Sequence, residues 1–180
     1  NRAELFPIEV QVRIAVVAAS SRQGDVLPTT PQEHMMTTLA LRSPSSQHLL
    51  GGALAGLAGG VVFGMLMGML GMLPMVGMLV GQDNAIVGLI VHLLISAFIG
   101  AVYGIVAARL PAGWIVATLA GAVNGVIWWV LGALILMPLG LGMTHMVLVV
   151  GEMQWLSLMG HLIFGVVTAL AFAPIGRRLA

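Results

Sequence analysis

The stretch that decides the fold is residues 49–73, LLGGALAGLAGGVVFGMLMGMLGML. It contains no charged residue, and it is longer than the roughly 20 apolar residues with which an α-helix crosses the hydrocarbon core of a bilayer. Three more long, mostly apolar stretches follow, at Ala85–Leu110, Ala112–Met137 and Met153–Gly176. The sequence therefore predicts an all-α membrane protein with four transmembrane helices.

The composition supports this interpretation. Of the 180 residues, 59% are hydrophobic and only 7% are charged, whereas soluble domains carry roughly 25% charged residues. The chain has no cysteine, which excludes disulfides, thiolate metal sites and catalytic thiols. Its net charge of +1 does not indicate a nucleic-acid partner.

The first part of the chain differs from the rest. Residues 1–48 are polar to mixed, and residues 49–180 form the predicted four-helix domain. Within the extension, apolar and polar residues alternate over residues 8–16, a period of two that is typical of a half-buried strand. The remainder is predicted to be mostly irregular. Because a single strand needs an edge with which to pair, we expect the extension to dock on a partner.

The arginines predict the orientation in the membrane. With four spans, Arg42, Arg109, Arg177 and Arg178 all lie on one side, and the two loops on the other side carry only Asp83 and Glu152 as charged residues. In membrane proteins, basic residues are more frequent in the cytoplasmic segments than in the external ones. We therefore predict that the chain lies in the inner (plasma) membrane with both termini in the cytoplasm.

The four stretches also form a tandem repeat. A shift of 69 residues aligns the second and fourth stretches without a gap, pairing His92 with His161 and Asp83 with Glu152. The first and third stretches align at a shift of 64 to 65. The domain is therefore predicted to hold two copies of a two-helix unit, residues 49–110 and 112–179. Since each unit crosses the membrane twice, a pseudo-two-fold axis along the membrane normal is expected.

Small residues recur at every fourth position, so each predicted helix carries them along one face. Close approach of helix backbones along such faces drives association in lipid. The predicted helix-packing glycines are Gly52, Gly56, Gly60, Gly64, Gly68, Gly100, Gly104, Gly121, Gly125 and Gly165.

His92 and His161 lie on these faces, and three hypotheses are open for them. They can be neutral side chains that hydrogen-bond across the bundle. They can be axial ligands of a haem or chlorin, as imidazole often is. They can also form a proton relay, with Asp83 and Glu152 as its outer mouth. We favour the first, and for the acids we favour a simple interaction with the helix dipole.

No motif in the sequence predicts catalysis or a resident metal. The methionines near the end of the first stretch, such as Met65, Met69 and Met72, favour adaptable apolar packing against a partner over a copper(I) site. We expect no enzyme and no cofactor. The sequence is best interpreted as an accessory subunit of a larger membrane complex, such as one of respiratory or photosynthetic electron transport, with other integral membrane subunits and lipid as its partners.

Overall fold

A computed structural model describes residues 46–179 of the chain, without the side chains of Arg177 and Leu179. All regular structure in this part is helical, and four helices are long and apolar enough to cross a membrane. We call them span 1 (Ser46–Met69), span 2 (Ala85–Ala107), span 3 (Trp114–Gly140) and span 4 (Glu152–Gly176). The helix of span 4 continues to Leu179. The strand predicted over residues 8–16 lies outside the described residues.

Span 1 ends earlier than its apolar stretch predicts. The helix stops at Met69, and Gly71 adopts a left-handed conformation with φ of 68°, which glycine reaches without steric penalty. The chain turns there and forms a short helix, Leu73–Gly77, with Pro74 in its first turn. The short helix packs against the start of span 2, so closely that any side chain at Gly88 would collide with the main-chain oxygen of Leu73.

Span 2 begins at a side-chain cap. The Oδ1 atom of Asn84 accepts hydrogen bonds from the main-chain nitrogens of Ile86 (2.8 Å) and Val87 (3.2 Å). Asparagine is one of the preferred residues at this position, because it satisfies amide groups that the first helical turn leaves unpaired. The boundary predicted at Ala85 is therefore also the observed one.

Span 3 is longer than predicted, and Pro138 does not end it. After the α-helix Trp114–Trp128 the chain continues as a π-helix over Trp129–Leu136 and a last α-helical turn over Met137–Gly140. The main-chain oxygen of Leu134 accepts a hydrogen bond of 2.9 Å from the main-chain nitrogen of Leu148. The loop between spans 3 and 4 therefore folds back onto the π-helix.

The helices pack as two hairpins joined through spans 1 and 4. Span 1 packs against span 2, span 3 packs against span 4, and span 1 also packs extensively against span 4. Spans 2 and 3 meet at few positions, among them Phe98 and Trp128, whose ring centroids are 6.0 Å apart. A pseudo-two-fold axis would make the contact of spans 2 and 3 equivalent to that of spans 1 and 4, and the two differ greatly in extent.

Two glycines of span 1 lie at the close contact with span 4. A Cβ atom at Gly51 would lie 2.7 Å from Cγ2 of Ile175, and one at Gly59 would lie 2.7 Å from the main-chain oxygen of Phe164. At the positions that the predicted repeat pairs with them, span 3 has Val116 and Asn124. Span 3 therefore has no glycine at either position, and its contact with span 2 is much smaller than that of span 1 with span 4.

Two groups of buried apolar side chains form the core. The Phe63 cluster contains Phe63, Met67, Leu73, Val76, Ile99 and Phe164. The Tyr103 cluster contains Ala55, Tyr103, Ala169 and Phe172. The first includes residues of the short helix, and the second lies toward the other end of the bundle, so together they fill most of its length.

Candidate functional site: the histidine pair

His92 hydrogen-bonds across the first hairpin. Its Nε2 atom lies 3.0 Å from the main-chain oxygen of Gly60 on span 1. A carbonyl oxygen only accepts, so Nε2 carries the proton. The neighbouring hydroxyl of Ser96 donates to the main-chain oxygen of His92 at 2.7 Å. A Cβ atom at Gly60 would lie 2.5 Å from both Cβ and Oγ of Ser96, so the absence of a side chain there allows spans 1 and 2 to come this close.

His161 hydrogen-bonds within its own helix. Its Nδ1 atom lies 2.8 Å from the main-chain oxygen of Ser157 and 3.3 Å from the Ser157 hydroxyl. On span 3, Gly125 faces the main-chain oxygen of His161, not its ring. The two histidines, which the sequence alignment pairs, therefore differ in their hydrogen bonds.

Phe63 of span 1 contacts both imidazole rings. Its ring centroid lies 5.4 Å from that of His92 and 4.9 Å from that of His161, with interplanar angles of 82° and 65°. Edge-to-face geometry of this kind is favourable for aromatic rings. The Phe63 ring also packs on the backbone of span 4 at Gly160, where a Cβ atom would collide with it. One phenylalanine thus connects both histidines and both hairpins.

One nitrogen of each imidazole is not used in these hydrogen bonds. Among residues 46–179, Nδ1 of His92 and Nε2 of His161 have no hydrogen-bond partner. Since the other nitrogen of each ring donates to a main-chain oxygen, the remaining one carries a lone pair in the neutral form. Such a nitrogen can accept a proton or bind a metal ion, and the donor bond on the opposite side of the ring is also the usual outer-shell arrangement of a metal-ligating histidine.

Most of the predicted packing glycines lie at helix contacts. In the first hairpin, Gly52 lies against Gly100 and Gly104, and Gly56 lies against Ser96 and Gly100. In the second hairpin, Gly121 lies against Gly165 and Ala169. The predicted repeat pairs Gly56 with Gly121, Ser96 with Gly165 and Gly100 with Ala169, and these are the positions at which the two hairpins pack.

The last two glycines of the fourfold series on span 1 do not pack against the backbone of another span. Gly64 lies beside the ring of His92, where a Cβ atom would be 3.3 Å from Cδ2. Gly68 is exposed, and a Cβ atom there would have only Cδ1 of Leu73 within 4 Å, at 3.5 Å. The fourfold spacing therefore continues beyond the last glycine that contacts another span.

The predicted outer-mouth acids lie at the helix starts, away from the histidine pair. Asp83 precedes the cap of span 2, and Glu152 is the first residue of the helix of span 4. Both side chains are exposed. The residue that caps span 2 is Asn84, which sequence reasoning missed although an asparagine directly before an apolar helix is a usual start signal.

Sequence reasoning also missed Phe63, because a phenylalanine in an apolar stretch carries no signal of its contacts. It missed the hydrogen bond of 3.0 Å from Nε1 of Trp129 to the main-chain oxygen of Gln154 as well. Among the described residues, no group of three or more His, Cys, Asp or Glu side chains is arranged to hold a metal ion.

In comparisons with known proteins, no family model, curated protein or solved structure matches the chain.

Proposed function

We propose that this chain is an accessory subunit that packs between other integral membrane proteins of a larger complex, such as one of electron transport. The observation that carries the proposal is the exposure of four methionines at the end of span 1 and in the segment that follows it. Met65, Met69, Met75 and Met78 are each exposed by 44% or more, and Met69 by 84%. Methionine is flexible and polarisable, and it is over-used at surfaces that adapt to a partner.

The interior of the bundle is consistent with a packing role. His92 and His161 each donate a hydrogen bond to a main-chain oxygen, and Phe63 contacts both rings. Of the two, the bond of His92 to Gly60 joins two helices, and hydrogen bonds between helices hold transmembrane bundles together. In the proposed arrangement the chain crosses the inner (plasma) membrane four times, both termini are cytoplasmic, and residues 1–48 dock on a partner.

Co-purification from native membranes tests the proposal. A tagged chain should bring down other membrane subunits in fixed stoichiometry, and the double variant Met65→Gln, Met69→Gln should lose them while remaining inserted. The matched control is Ile90→Gln, Leu94→Gln on span 2, where both residues are also exposed. If the control loses the subunits equally, or if neither variant does, the exposed methionines are not the contact.

The N-terminal extension has its own test. Removal of residues 1–34 should leave the four-span domain inserted and weaken its association with the same subunits. Full retention of the subunits by the truncated chain would contradict docking through the extension.

A second candidate function is tetrapyrrole binding by His92 and His161. The specific observation in its favour is that each ring has one nitrogen on a main-chain oxygen and the other available as a ligand. Against it, Phe63 occupies the space next to both rings, so a macrocycle would have to displace this side chain. A proton relay through the same nitrogens is a further alternative. It would leave assembly intact on mutation and lower the activity of the host complex.

A further inference from the structure

The loop between spans 3 and 4 turns back along span 3. The main-chain nitrogen of Leu148 donates a hydrogen bond of 2.9 Å to the main-chain oxygen of Leu134, which lies six residues before the end of span 3 at Gly140. At about 1.5 Å per helical residue, this contact is roughly 9 Å away from the end of the span, toward the middle of the bundle. Pro138 favours the contact, because proline has no N–H group with which to bond to the oxygen four residues earlier in the helix.

Span 4 also begins beside the interior of span 3 and not beside its end. Nε1 of Trp129 donates a hydrogen bond of 3.0 Å to the main-chain oxygen of Gln154, and the rings of Trp129 and Trp155 are stacked with centroids 6.1 Å apart. Trp129 lies eleven residues before the end of span 3, which is roughly 16 Å along the helix. Residues 148–154 therefore run from the level of Leu134 to that of Trp129.

These two levels can be located in a bilayer by counting from the other end of span 3. That end is at Trp114, which is exposed, and tryptophan is enriched at membrane–water interfaces. Measured from Trp114 along the helix, Trp129 is roughly 22 Å away and Leu134 roughly 30 Å away. The hydrocarbon core of a bilayer is about 30 Å thick. The chain between the two levels therefore lies just inside the edge of the core, next to the headgroups.

The side chains at these levels are of the kind that lipid favours. Leu148, Val149 and Val150 are each exposed by 42% or more, and residues 141–151 contain no Asp, Glu, Lys or Arg. Three adjacent aliphatic side chains are unfavourable in water. In their exposure and chemistry they resemble the side chains on the outer faces of the spans, such as Leu131 of span 3.

The main chain of this segment is largely bonded within the protein, as an apolar environment requires. The nitrogen of Val149 donates to the main-chain oxygen of Met146 at 3.1 Å, and the nitrogen of Gly151 donates to Oε1 of Gln154 at 3.0 Å. The charged residue that follows, Glu152, is the first residue of its helix. Because side chains in a helix point toward its N-terminus, this carboxylate is directed toward the nearer membrane surface.

We propose that Leu148–Val150 form a re-entrant segment at the boundary between the headgroups and the hydrocarbon core, where their side chains contact lipid acyl chains. The proposal rests on the four-span arrangement given above. It adds to that arrangement a part of the surface that lipid, and not a partner subunit, covers.

Site-directed spin labelling of the full chain in lipid vesicles tests this, because the sequence contains no cysteine. A label at Val150→Cys should be relaxed by oxygen, which concentrates in lipid, and little by a water-soluble nickel chelate. Thr144→Cys is the matched control in the same loop. Thr144 is exposed, and the nitrogen of the preceding Met143 bonds to the oxygen of Pro138, only two residues before the end of span 3. We expect the nickel chelate to relax the label at Thr144 several-fold more than the label at Val150.

Two further labels calibrate the comparison. Leu131→Cys on span 3 should behave as a lipid-exposed site, and Gln82→Cys in the loop between spans 1 and 2 as a water-exposed site. Equal access of the nickel chelate to the labels at Val150 and Thr144 overturns the proposal. Protection of the Val150 label from both reagents also overturns it, because protein, such as a second copy of the chain, would then cover the segment. Access of the nickel chelate to the Leu131 label would show that the four-span arrangement itself is wrong, and the proposal would fall with it.

Discussion

The Nε2–H group of His92 donates a hydrogen bond of 3.0 Å to the main-chain oxygen of Gly60 on the neighbouring span. This bond crosses a helix interface, whereas the corresponding bond of His161 stays within its own helix. Two histidines that the predicted repeat pairs with each other thus make different hydrogen bonds. Substitutions of the two histidines should therefore change the stability of the bundle by different amounts.

Replacement of His92 by leucine should destabilise the bundle more than replacement of His161 by leucine. Intramembrane hydrogen bonds between helices contribute about 0.6–2 kcal/mol, and only His92 makes one. His92→Gln keeps a donor and should recover most of the loss. Thermal unfolding in mild detergent measures these differences. Equal destabilisation by the two leucine variants would show that the hydrogen bond to Gly60 adds no measurable stability to the bundle.

The double variant His92→Gln, His161→Gln distinguishes packing from cofactor ligation. If the imidazoles only hydrogen-bond, the wild type purified from its native membrane is colourless and the double variant has a normal yield. If they are axial ligands, the wild type absorbs in the visible range and the absorption disappears on mutation. Absorption spectra and yields of both proteins are the measurement, and a coloured wild type would favour the tetrapyrrole alternative.

Gly56→Ala and Gly68→Ala should have opposite effects although both residues belong to the same fourfold series. A Cβ atom at Gly56 would collide with the main-chain oxygen of Ser96, and overpacking of this kind costs about 1–3 kcal/mol. A Cβ atom at Gly68 would make only an ordinary van der Waals contact with Leu73. Alanine at this position should therefore leave the stability of the bundle unchanged or raise it by up to about 1 kcal/mol. Unfolding temperatures in detergent compare the pair. A neutral Gly56→Ala would contradict the close contact of spans 1 and 2.

Phe63 and Gly160 should be strongly coupled. Phe63→Ala removes a buried ring and should cost about 3–5 kcal/mol, whereas Phe98→Ala, at a side chain exposed by 60%, should cost much less. Gly160→Ala should be destabilising in the wild type, because the new Cβ atom meets the Phe63 ring, and tolerated in the Phe63→Ala background. A double-mutant cycle measures this coupling, and additive effects would refute the contact.

Single-cysteine labelling can establish the topology, because the chain contains no cysteine of its own. Gln82→Cys lies between spans 1 and 2, and Ala112→Cys lies between spans 2 and 3. The arginine distribution predicts that an impermeant maleimide added to intact cells labels the first and not the second. Labelling of Ala112→Cys alone would reverse the proposed orientation.

Much of the fold was predictable because membrane helices are governed by length and apolarity, which are local properties. The four helices, their approximate bounds and the face on which Gly52 and Gly56 lie could all be inferred from residue spacing. The end of span 1 at Met69 and the passage of span 3 through Pro138 were not predicted. They depend on a left-handed Gly71 and on a π-helix, and both of these are conformations of the backbone that composition does not encode.

The sequence by itself determined that four apolar helices form, that each has a small-residue face, and that His92 and His161 lie on those faces. Only the tertiary structure decided which helices touch. Gly51 and Gly59 let span 1 approach span 4 closely, whereas spans 2 and 3 meet at few positions. Spacing along one helix cannot reveal this, because the distance between two helices depends on the side chains of both. For the same reason the contact of Phe63 with both histidines became visible only in the folded chain.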